Sequence, residues 1–268
     1  MQLEGSRILL TGASGGIGRA VALELAGRGA KLCLSGRRAA ALQAVVDDLA
    51  GRGMLAAIAP ADLDQPGAAE ALVDNAVAQL GGLDLVINCA GVSHFGLFEQ
   101  GAPDIADRLW RTNVLAPMRL IHAALPHLRH APRGLIVNVG SIFGSIAFPC
   151  FAAYSTTKFA LRGFSEALRR ELDGSTVGVL YVAPRYTRTA LNDGAISEMA
   201  QAVAKKQDEP VVVARQLVEA IVRDQRERYL GWPEKLFVRI NAWFPRLVDK
   251  SLRAQTEQMR PFALRQLA

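Results

Sequence analysis

The sequence is poor in the residues that disulfide scaffolds, metal sites and membrane-spanning segments need. It has three cysteines and four histidines among 268 residues. Because Cys33, Cys89 and Cys150 cannot all pair with one another, and the first two lie in apolar runs, we expect buried free thiols in a reducing compartment. The histidines lack neighbouring ligand residues, so we predict no metal site. No apolar run approaches the ~20 residues that a transmembrane helix requires.

Long runs of like charge are also missing, so nothing indicates a nucleic-acid partner. Of the formal net charge of +6, residues 232–268 supply +4, with seven Lys and Arg against three Asp and Glu, and the rest of the chain supplies +2. The 50% share of hydrophobic residues is ordinary for a soluble globular protein. The chain reaches its first apolar run without the basic region and cleavage site of a signal peptide, so we expect a cytoplasmic protein.

Short apolar runs rich in Val, Ile and Leu alternate with segments of helical periodicity. This pattern predicts buried parallel strands joined by helices on both faces of one twisted sheet. We therefore expect an α/β fold with a doubly wound, Rossmann-type sheet in three layers over residues 1–231, and a C-terminal helical extension at 232–268 that packs on the same domain. The predicted strands cover residues 8–10, 31–34, 54–59, 83–87, 135–139 and 177–183.

A glycine-rich turn, Thr11-Gly-Ala-Ser-Gly-Gly-Ile-Gly18, follows the first predicted strand and precedes a helix-forming segment. Gly12, Gly16 and Gly18 let a ligand approach the backbone closely, and the helix start directs free amides and its positive dipole end at an anion. The turn therefore predicts a phosphate site, although its spacing is not the Gly-x-Gly-x-x-Gly of the commonest dinucleotide folds. The alternative is a tight strand-to-helix turn that binds nothing.

Tyr154 and Lys158 are four residues apart in a predicted helix, which puts a phenol and an ammonium on one helix face. A free phenol titrates near ~10, and a fixed cation favours the phenolate, so we expect Lys158 to lower the pKa of Tyr154 toward neutrality. Tyr154 would then act as a general acid or base. Taken alone, the pair is also compatible with a solvated helix face.

Five ordered motifs together resemble the short-chain dehydrogenase/reductase family. They are the glycine turn, Asn88-Cys-Ala-Gly91, Asn113, Ser141 and Tyr154-x-x-x-Lys158. The resemblance implies an oxidoreductase that interconverts a carbonyl and a secondary alcohol. Tyr154 would exchange a proton with the substrate oxygen, Ser141 would hydrogen-bond that oxygen, and Asn113 would hold a water that links Lys158 to solvent.

The resemblance extends over about residues 5–229 and also implies a nicotinamide cofactor. Tyr154 and Lys158 would contact the cofactor, and the lysine would hydrogen-bond its nicotinamide ribose. The other cofactor contacts that we expect are Gly12, Ser14, Gly16, Ile17, Gly18, Arg37, Arg38, Asp62, Leu63, Asn88, Ala90, Gly91, Pro184, Thr187 and Thr189.

The end of the second predicted strand favours NADP(H) over NAD(H). Dinucleotide folds place an acidic residue there to hold the adenosine ribose hydroxyls, whereas an arginine suits a 2′-phosphate. Here the strand ends in Gly36-Arg37-Arg38, without a carboxylate and with two guanidiniums that can each form bidentate hydrogen bonds with a phosphate. Ser14 would add a hydroxyl to the same phosphate. The alternative is that both arginines lie on a solvated helix start.

Two residues depart from the family pattern. Cys89 replaces the second Asn of Asn-Asn-Ala-Gly, and Arg185 replaces the Gly of the Pro-Gly that follows the sixth strand. Because a residue with a side chain does not freely adopt positive φ, we expect the turn over the nicotinamide to be shaped differently.

Apolar residues near the expected pocket mouth favour an apolar substrate over a sugar or an acid. The segment 185–210 has no strong period, which suits the mobile segment that closes over substrate in this family. The residues that suggest an apolar mouth are Phe95, Phe143, Phe148, Phe151 and Leu191.

The tail 232–253 carries apolar residues at helical spacing beside Lys235, Arg239 and Arg246. The commoner reading is packing on the protein itself, on the pocket mouth or on a second subunit. The alternative is peripheral contact with a membrane interface. The resemblance implies a homodimer or homotetramer.

Two other functions are compatible with the same motifs. Arg185 and the long tail suggest a non-catalytic, cofactor-sensing partner protein. A dehydratase or an epimerase would keep the fold and change the reaction. The oxidoreductase is the leading hypothesis because Asn113, Ser141, Tyr154 and Lys158 are all present.

Overall fold

A computed structural model of the protein describes residues 1–202 and 206–265. Its strands are β1 (Arg7–Thr11), β2 (Lys31–Ser35), β3 (Ala56–Ile58), β4 (Leu85–Asn88), β5 (Gly134–Val139), β6 (Val177–Ala183) and β7 (Glu227–Tyr229). All of them pair in parallel in one sheet, in the order β3-β2-β1-β4-β5-β6-β7. The predicted doubly wound sheet is confirmed.

Helices cover both faces of the sheet, as the alternating pattern predicts, and a π-helical turn at Arg111–Leu115 joins two of them. The helices are α1 (Gly16–Ala26), α2 (Ala39–Ala50), α3 (Ala68–Leu80), α4 (Pro103–Trp110), α5 (Ala116–His130), α6 (Ala152–Glu171), α7 (Ala195–Ala202), α8 (Pro210–Val222), α9 (Glu234–Trp243) and α10 (Pro245–Arg265).

The central strands are apolar on both faces because both faces are buried. In β1, Ile8 and Leu10 pack with α1, α2 and α8, whereas Leu9 packs on the other side with α3 and α5. All three side chains are fully buried. This two-sided burial explains why the strands read as continuous apolar runs, without the alternation of a half-exposed strand.

Two features of the sheet differ from the sequence prediction. Strand β3 covers only part of the predicted run 54–59, and Leu55 is exposed. The seventh strand, β7, was not predicted because two of its three residues, Glu227 and Arg228, are charged. As the edge strand, β7 pairs only with β6, so it does not need an apolar sequence.

A buried chain of side-chain hydrogen bonds links the sheet to α6. The Nδ2 of Asn88 donates to Oδ1 of Asn138 at 2.9 Å, and the Nδ2 of Asn138 donates to Oγ of Ser165 at 2.9 Å. The Ser165 hydroxyl then donates to the carbonyl of Leu161 at 2.7 Å. These bonds satisfy polar groups that would otherwise be costly to bury, and they fix α6 against β4 and β5.

The C-terminal helix α10 packs against α7. Met259 and Ala263 of α10 belong to a buried apolar cluster with Ile196 and Met199 of α7. No helix in the described ranges is long and apolar enough to cross a membrane. Several large apolar side chains of this region stay exposed, namely those of Trp232, Leu236, Phe237, Trp243, Phe244 and Leu247.

The buried amide chain predicts a specific loss of stability. We expect Asn138→Ala to lower the free energy of unfolding by about 1–3 kcal/mol, because Asn88 and Ser165 lose a buried partner. Urea denaturation of the variant and the parent protein measures this difference. The control is Asn75→Ala, which removes an exposed amide that accepts from Gln79 on α3. Equal losses for the two variants would contradict the prediction.

Candidate active site

The order of the strands reverses between β1 and β4, and a cavity of about 1210 Å³ opens at the carboxyl ends of the strands. This is where doubly wound sheets bind their ligands. All of the predicted site residues except Asn88 and Asn113 line the cavity. Within the described part of the chain, no group of His, Cys, Asp and Glu could hold a metal ion.

The glycine turn passes so close to neighbouring backbone that side chains would not fit. A Cβ on Gly12, which has a φ of +66°, would lie 2.6 Å from the amide nitrogen of Ala90. A Cβ on Gly18 would collide with the carbonyl oxygen of Gly12. Thr11 ties the two loops together, since its Oγ1 accepts from the amide of Cys89 at 3.2 Å. The glycines are therefore required for the close packing of this turn.

The start of α1 fits a phosphate group. The helix begins at Gly16, its N-cap Gly15 has no side chain that could accept from the first amides, and its first turn contains no acidic residue. The first amides of a helix have no partner within the helix, and the positive end of the helix dipole lies there. This end of α1 faces the cavity and can donate to an anion.

Two exposed guanidiniums line the cavity beyond the end of β2. Among residues 1–202 and 206–265, neither Arg37 nor Arg38 forms an ion pair, and β2 ends in Ser35 without a carboxylate. The hydroxyl of Ser14 faces the same place, because a Cβ on Gly36 would lie 3.5 Å from Ser14 Oγ. Cations without a partner beside a hydroxyl suit a second phosphate.

Tyr154 and Lys158 project from the first turns of α6 and are both buried. The Nζ of Lys158 lies 5.7 Å from the centroid of the Tyr154 ring and donates to the carbonyl of Val139 at 3.3 Å. Burial raises the pKa of Tyr154 to about 12, and its hydrogen bond with Ser141 opposes the rise. Burial likewise lowers the pKa of Lys158 to about 8.

The expectation that Lys158 draws the pKa of Tyr154 toward neutrality is wrong. Desolvation disfavours the charged form of both groups, and for the phenol this effect exceeds any attraction by the ammonium. The helical spacing of the pair was predictable from the sequence, but its burial, which decides the direction of the pKa shift, was not. At neutral pH the phenol therefore keeps its proton.

Ser141 follows β5 and is held by a residue that sequence reasoning missed. Its Oγ accepts from the amide of Phe143 at 3.1 Å, and the hydroxyl of Tyr181 donates to its carbonyl at 3.3 Å. A Cβ on Gly140 or Gly144 would strike the Tyr181 side chain. The only signal in the sequence is a hydroxyl-bearing residue within the apolar run of β6.

Asn113 lies behind the cavity in the π-helical turn. Its Oδ1 accepts from the amide of Val92 at 2.9 Å, and its Nδ2 donates to the Val92 carbonyl at 2.9 Å and to Thr157 Oγ1 at 3.0 Å. Asn113 therefore ties the loop after β4 to α6. The side chain of Asn88 also points away from the cavity, into the bond with Asn138.

Arg185 and two threonines shape the segment after β6. Arg185 is not among the residues with positive φ, so it replaces a glycine without backbone strain. The hydroxyl of Thr187 is buried and donates to the Arg185 carbonyl at 2.9 Å, which leaves it engaged within its own loop. Thr189 packs on the glycine turn, because a Cβ on Gly16 would lie 2.6 Å from Thr189 Cγ2.

Aromatic and aliphatic side chains line the part of the cavity beside Tyr154. Phe143 and Phe148 stack with a centroid distance of 5.0 Å, and Phe151 packs against Phe143 at 5.1 Å. Phe95 is fully buried behind Phe151 and does not line the cavity, contrary to expectation. An apolar surface next to a proton donor suits an apolar molecule with one polar oxygen.

Residues 6–200 match the profile of the family described as short chain dehydrogenase. The hydroxysteroid 11-beta-dehydrogenase 1-like protein A of Xenopus laevis is 34% identical over 256 residues, 93% of this chain and 86% of that protein. The 3-oxoacyl-(acyl-carrier-protein) reductase FabG of Vibrio cholerae is 31% identical over 243 residues, 89% of this chain and 94% of that protein.

Solved structures show the same fold. A short chain dehydrogenase of Burkholderia cenocepacia in complex with NADP has a TM-score of 0.78 at 30% identity, with 88% of this chain and 100% of that chain covered. A short chain dehydrogenase/reductase of Burkholderia phymatum in complex with NAD has a TM-score of 0.84 at 24% identity, with 92% and 96% covered. The profile match, the two relatives and the geometry of the cleft agree: the chain belongs to the short-chain dehydrogenase/reductase family.

Proposed function

We propose that the protein is an NADP(H)-dependent oxidoreductase that interconverts an apolar ketone and its secondary alcohol, with Tyr154 as the general acid and base. The observation that carries this proposal is the convergence of Ser141, Tyr154 and Lys158 on one cavity with a closely packed glycine turn. The family assignment supports an oxidoreductase in general, and the site supports the finer assignments.

The cofactor site is assigned residue by residue. The start of α1 would hold the diphosphate, and Arg37, Arg38 and Ser14 would hold the 2′-phosphate that distinguishes NADP from NAD. Asp62 and Leu63 line the cavity where the adenine would lie. Lys158 would donate to the nicotinamide ribose. When bound, NADP(H) supplies or accepts the hydride of the reaction.

The protonation states of Tyr154 and Lys158 at neutral pH are those that reduction of a carbonyl would require. Because the pKa of Tyr154 is about 12, its phenol carries a proton at neutral pH and can donate it to the carbonyl oxygen during reduction. Ser141, which hydrogen-bonds Tyr154, would donate to the same oxygen and steady the developing charge. Because the pKa of Lys158 is about 8, its amine is mostly cationic at neutral pH and would favour the phenolate that remains.

The apolar wall beside Tyr154 supports an apolar substrate. The stacked pair Phe143 and Phe148, together with Phe151, offers contact area and no charge. One relative is named for a hydroxysteroid and the other for a 3-oxoacyl group, and both names include a hydroxyl or keto oxygen on a mainly apolar group. We infer that shape and apolar contact, with one oxygen at Ser141 and Tyr154, select the substrate.

The exposed side chains of the C-terminal helices support peripheral contact with a lipid surface. Trp243, Phe244 and Leu247 are all more than half exposed, and the basic Arg239 and Arg246 lie among them. Aromatic and basic residues together bind the interface of anionic membranes. A homodimer or homotetramer, which the family resemblance implies, stays a prediction.

Tyr154→Phe keeps the ring and removes the transferable proton. We expect ketone turnover, followed by NADPH absorbance over a panel of apolar ketones, to fall by about 10²–10⁴ while the protein still binds NADPH. Tyr229→Phe is the matched control, since Tyr229 bonds Ser145 outside the cavity. A Tyr154→Phe protein that turns over ketones like the parent protein would refute the role of the phenol.

Arg37→Ala and Arg38→Ala test the cofactor preference. Loss of a charged contact to the 2′-phosphate should raise the Kd of NADPH by about tenfold to a hundredfold and leave the Kd of NADH nearly unchanged. Fluorescence titration measures both constants. Arg28→Ala, which removes a guanidinium paired with Glu24 at the far end of α1, serves as the control. Equal weakening for the two cofactors would exclude a 2′-phosphate contact.

Membrane contact is tested by sedimentation with vesicles that contain phosphatidylserine. We expect the full chain to sediment with the vesicles at low salt, and Trp243→Ala to weaken this binding by about tenfold because an exposed aromatic side chain that would insert into the lipid interface is lost. Trp110→Ala removes an exposed tryptophan of α4 and should have no effect. Protein that stays in the supernatant at every lipid concentration would rule out the contact.

A further inference from the structure

Arg185 forms ion pairs with two carboxylates at the rim of the cavity. Its Nε donates to Asp208 Oδ2 at 2.8 Å and its Nη2 donates to Asp208 Oδ1 at 2.7 Å, which is the bidentate geometry of a strong guanidinium–carboxylate contact. The Nη1 donates to Glu234 Oε2 at 3.1 Å and to Oε1 at 3.2 Å. The bonds to Asp208 and the two carboxylate charges raise the pKa of Arg185.

The two carboxylates belong to different segments of the chain. Asp208 ends the loop after β6, where its amide donates to the carbonyl of Tyr186 at 2.9 Å. Glu234 is the first residue of α9. Side-chain exposures of 14% for Arg185, 11% for Asp208 and 26% for Glu234 show that these ion pairs are largely shielded from water. Solvent screens such contacts less than those of surface pairs.

The chain between β7 and α9 is shaped to fit the guanidinium. Gly231 has a φ of +94°, and a Cβ at this position would lie 2.6 Å from Cδ of Arg185 and 2.9 Å from Oε2 of Glu234. The carbonyl of Trp232 also accepts from Arg185 Nη1 at 3.4 Å. A glycine is therefore needed where the backbone passes against the ion pair.

A second contact joins the same two segments at their other end. Helix α7, which lies within the loop after β6, packs its Ile196 and Met199 with Met259 and Ala263 of α10 in a buried apolar cluster. The loop and the C-terminal helices are thus linked twice, by charge at Arg185 and by apolar packing at α7. Helices fixed at two separate points move less than helices fixed at one.

The C-terminal helices also line the cavity that contains Tyr154. Phe237 of α9 and Val248, Ser251, Leu252 and Gln255 of α10 all face it. Val248 and Leu252 pack at the same time against a buried cluster around Ile142 and Tyr181. A substrate that extends away from Tyr154 would therefore meet these helices.

We propose that the C-terminal helices form one wall of the substrate site and that Arg185 is the positioning residue that seats this wall, through Glu234, while it holds the loop after β6 through Asp208. The proposal rests on the proposed function. Arg185 is a positioning residue in this proposal, because all three nitrogens of its guanidinium already donate to Asp208, Glu234 or the Trp232 carbonyl. The arginine at the family's glycine position and the long C-terminal extension then act together.

Glu234→Gln in the full chain tests the proposal, because it weakens the contact with α9 and leaves the Arg185–Asp208 pair intact. We expect the KM for a bulky apolar ketone to rise by about tenfold, as for loss of one charge-assisted contact, with the KM for a small ketone and the Kd of NADPH nearly unchanged. Hydrogen exchange of α9 amides should become faster. Glu234→Asp keeps the charge, so its KM for the bulky ketone should rise less than that of Glu234→Gln.

Glu209→Gln is the matched control, since Glu209 pairs with Arg188 at 3.0 Å beside Asp208 but is exposed. The role of Arg185 would be overturned if hydrogen exchange of the α9 amides is unchanged in Glu234→Gln. It would also be overturned if Glu234→Gln and Glu209→Gln change this exchange equally. A variant in which the Kd of NADPH and both KM values rise together would overturn it too. If the parent protein binds NADPH and turns over no ketone, the proposed function fails, and the exchange experiment still decides whether Glu234 seats α9.

Discussion

Burial of a phenol and an amine one helical turn apart is the constraint that shapes the carboxyl edge of the sheet. Desolvation raises the pKa of Tyr154, which therefore keeps its proton, and it lowers the pKa of Lys158. A group in this state donates a proton readily only where something stabilises the anion that forms. Ser141 and Lys158 line the same cavity as the phenol, and in the proposed reaction they stabilise this anion.

The rest of the site holds this pair in position. Asn113 fixes α6 to the loop after β4 through Val92 and Thr157, and the chain of Asn138 and Ser165 fixes α6 to the sheet. The side chains of Asn113, Thr157, Asn138 and Ser165 do not line the cavity, yet their hydrogen bonds hold α6, which carries the phenol. Such a division between groups that line a site and groups that orient them is usual in precise active sites.

The fold and the glycine turn were predictable because they follow from local patterns, namely apolar runs, helical spacing and glycine at the start of a helix. Features that depend on three-dimensional packing were not. Strand β7 is an edge strand with a charged sequence, and Tyr181 looks like one more apolar strand residue until its hydroxyl is found against Ser141. The inward turn of Asn88 and the ion pairs of Arg185 depend on partners far away in the sequence.

The most direct test of the account uses NADPH that carries deuterium at one or the other hydrogen of its nicotinamide C4. The full chain is incubated with each form and with a panel of apolar ketones, and the alcohols are analysed by mass spectrometry. The account predicts that one of the two forms transfers its deuterium to the carbinol carbon, because the cleft holds the ring in a single orientation. It is contradicted if NADPH binds to the protein and no ketone yields a deuterated alcohol from either form.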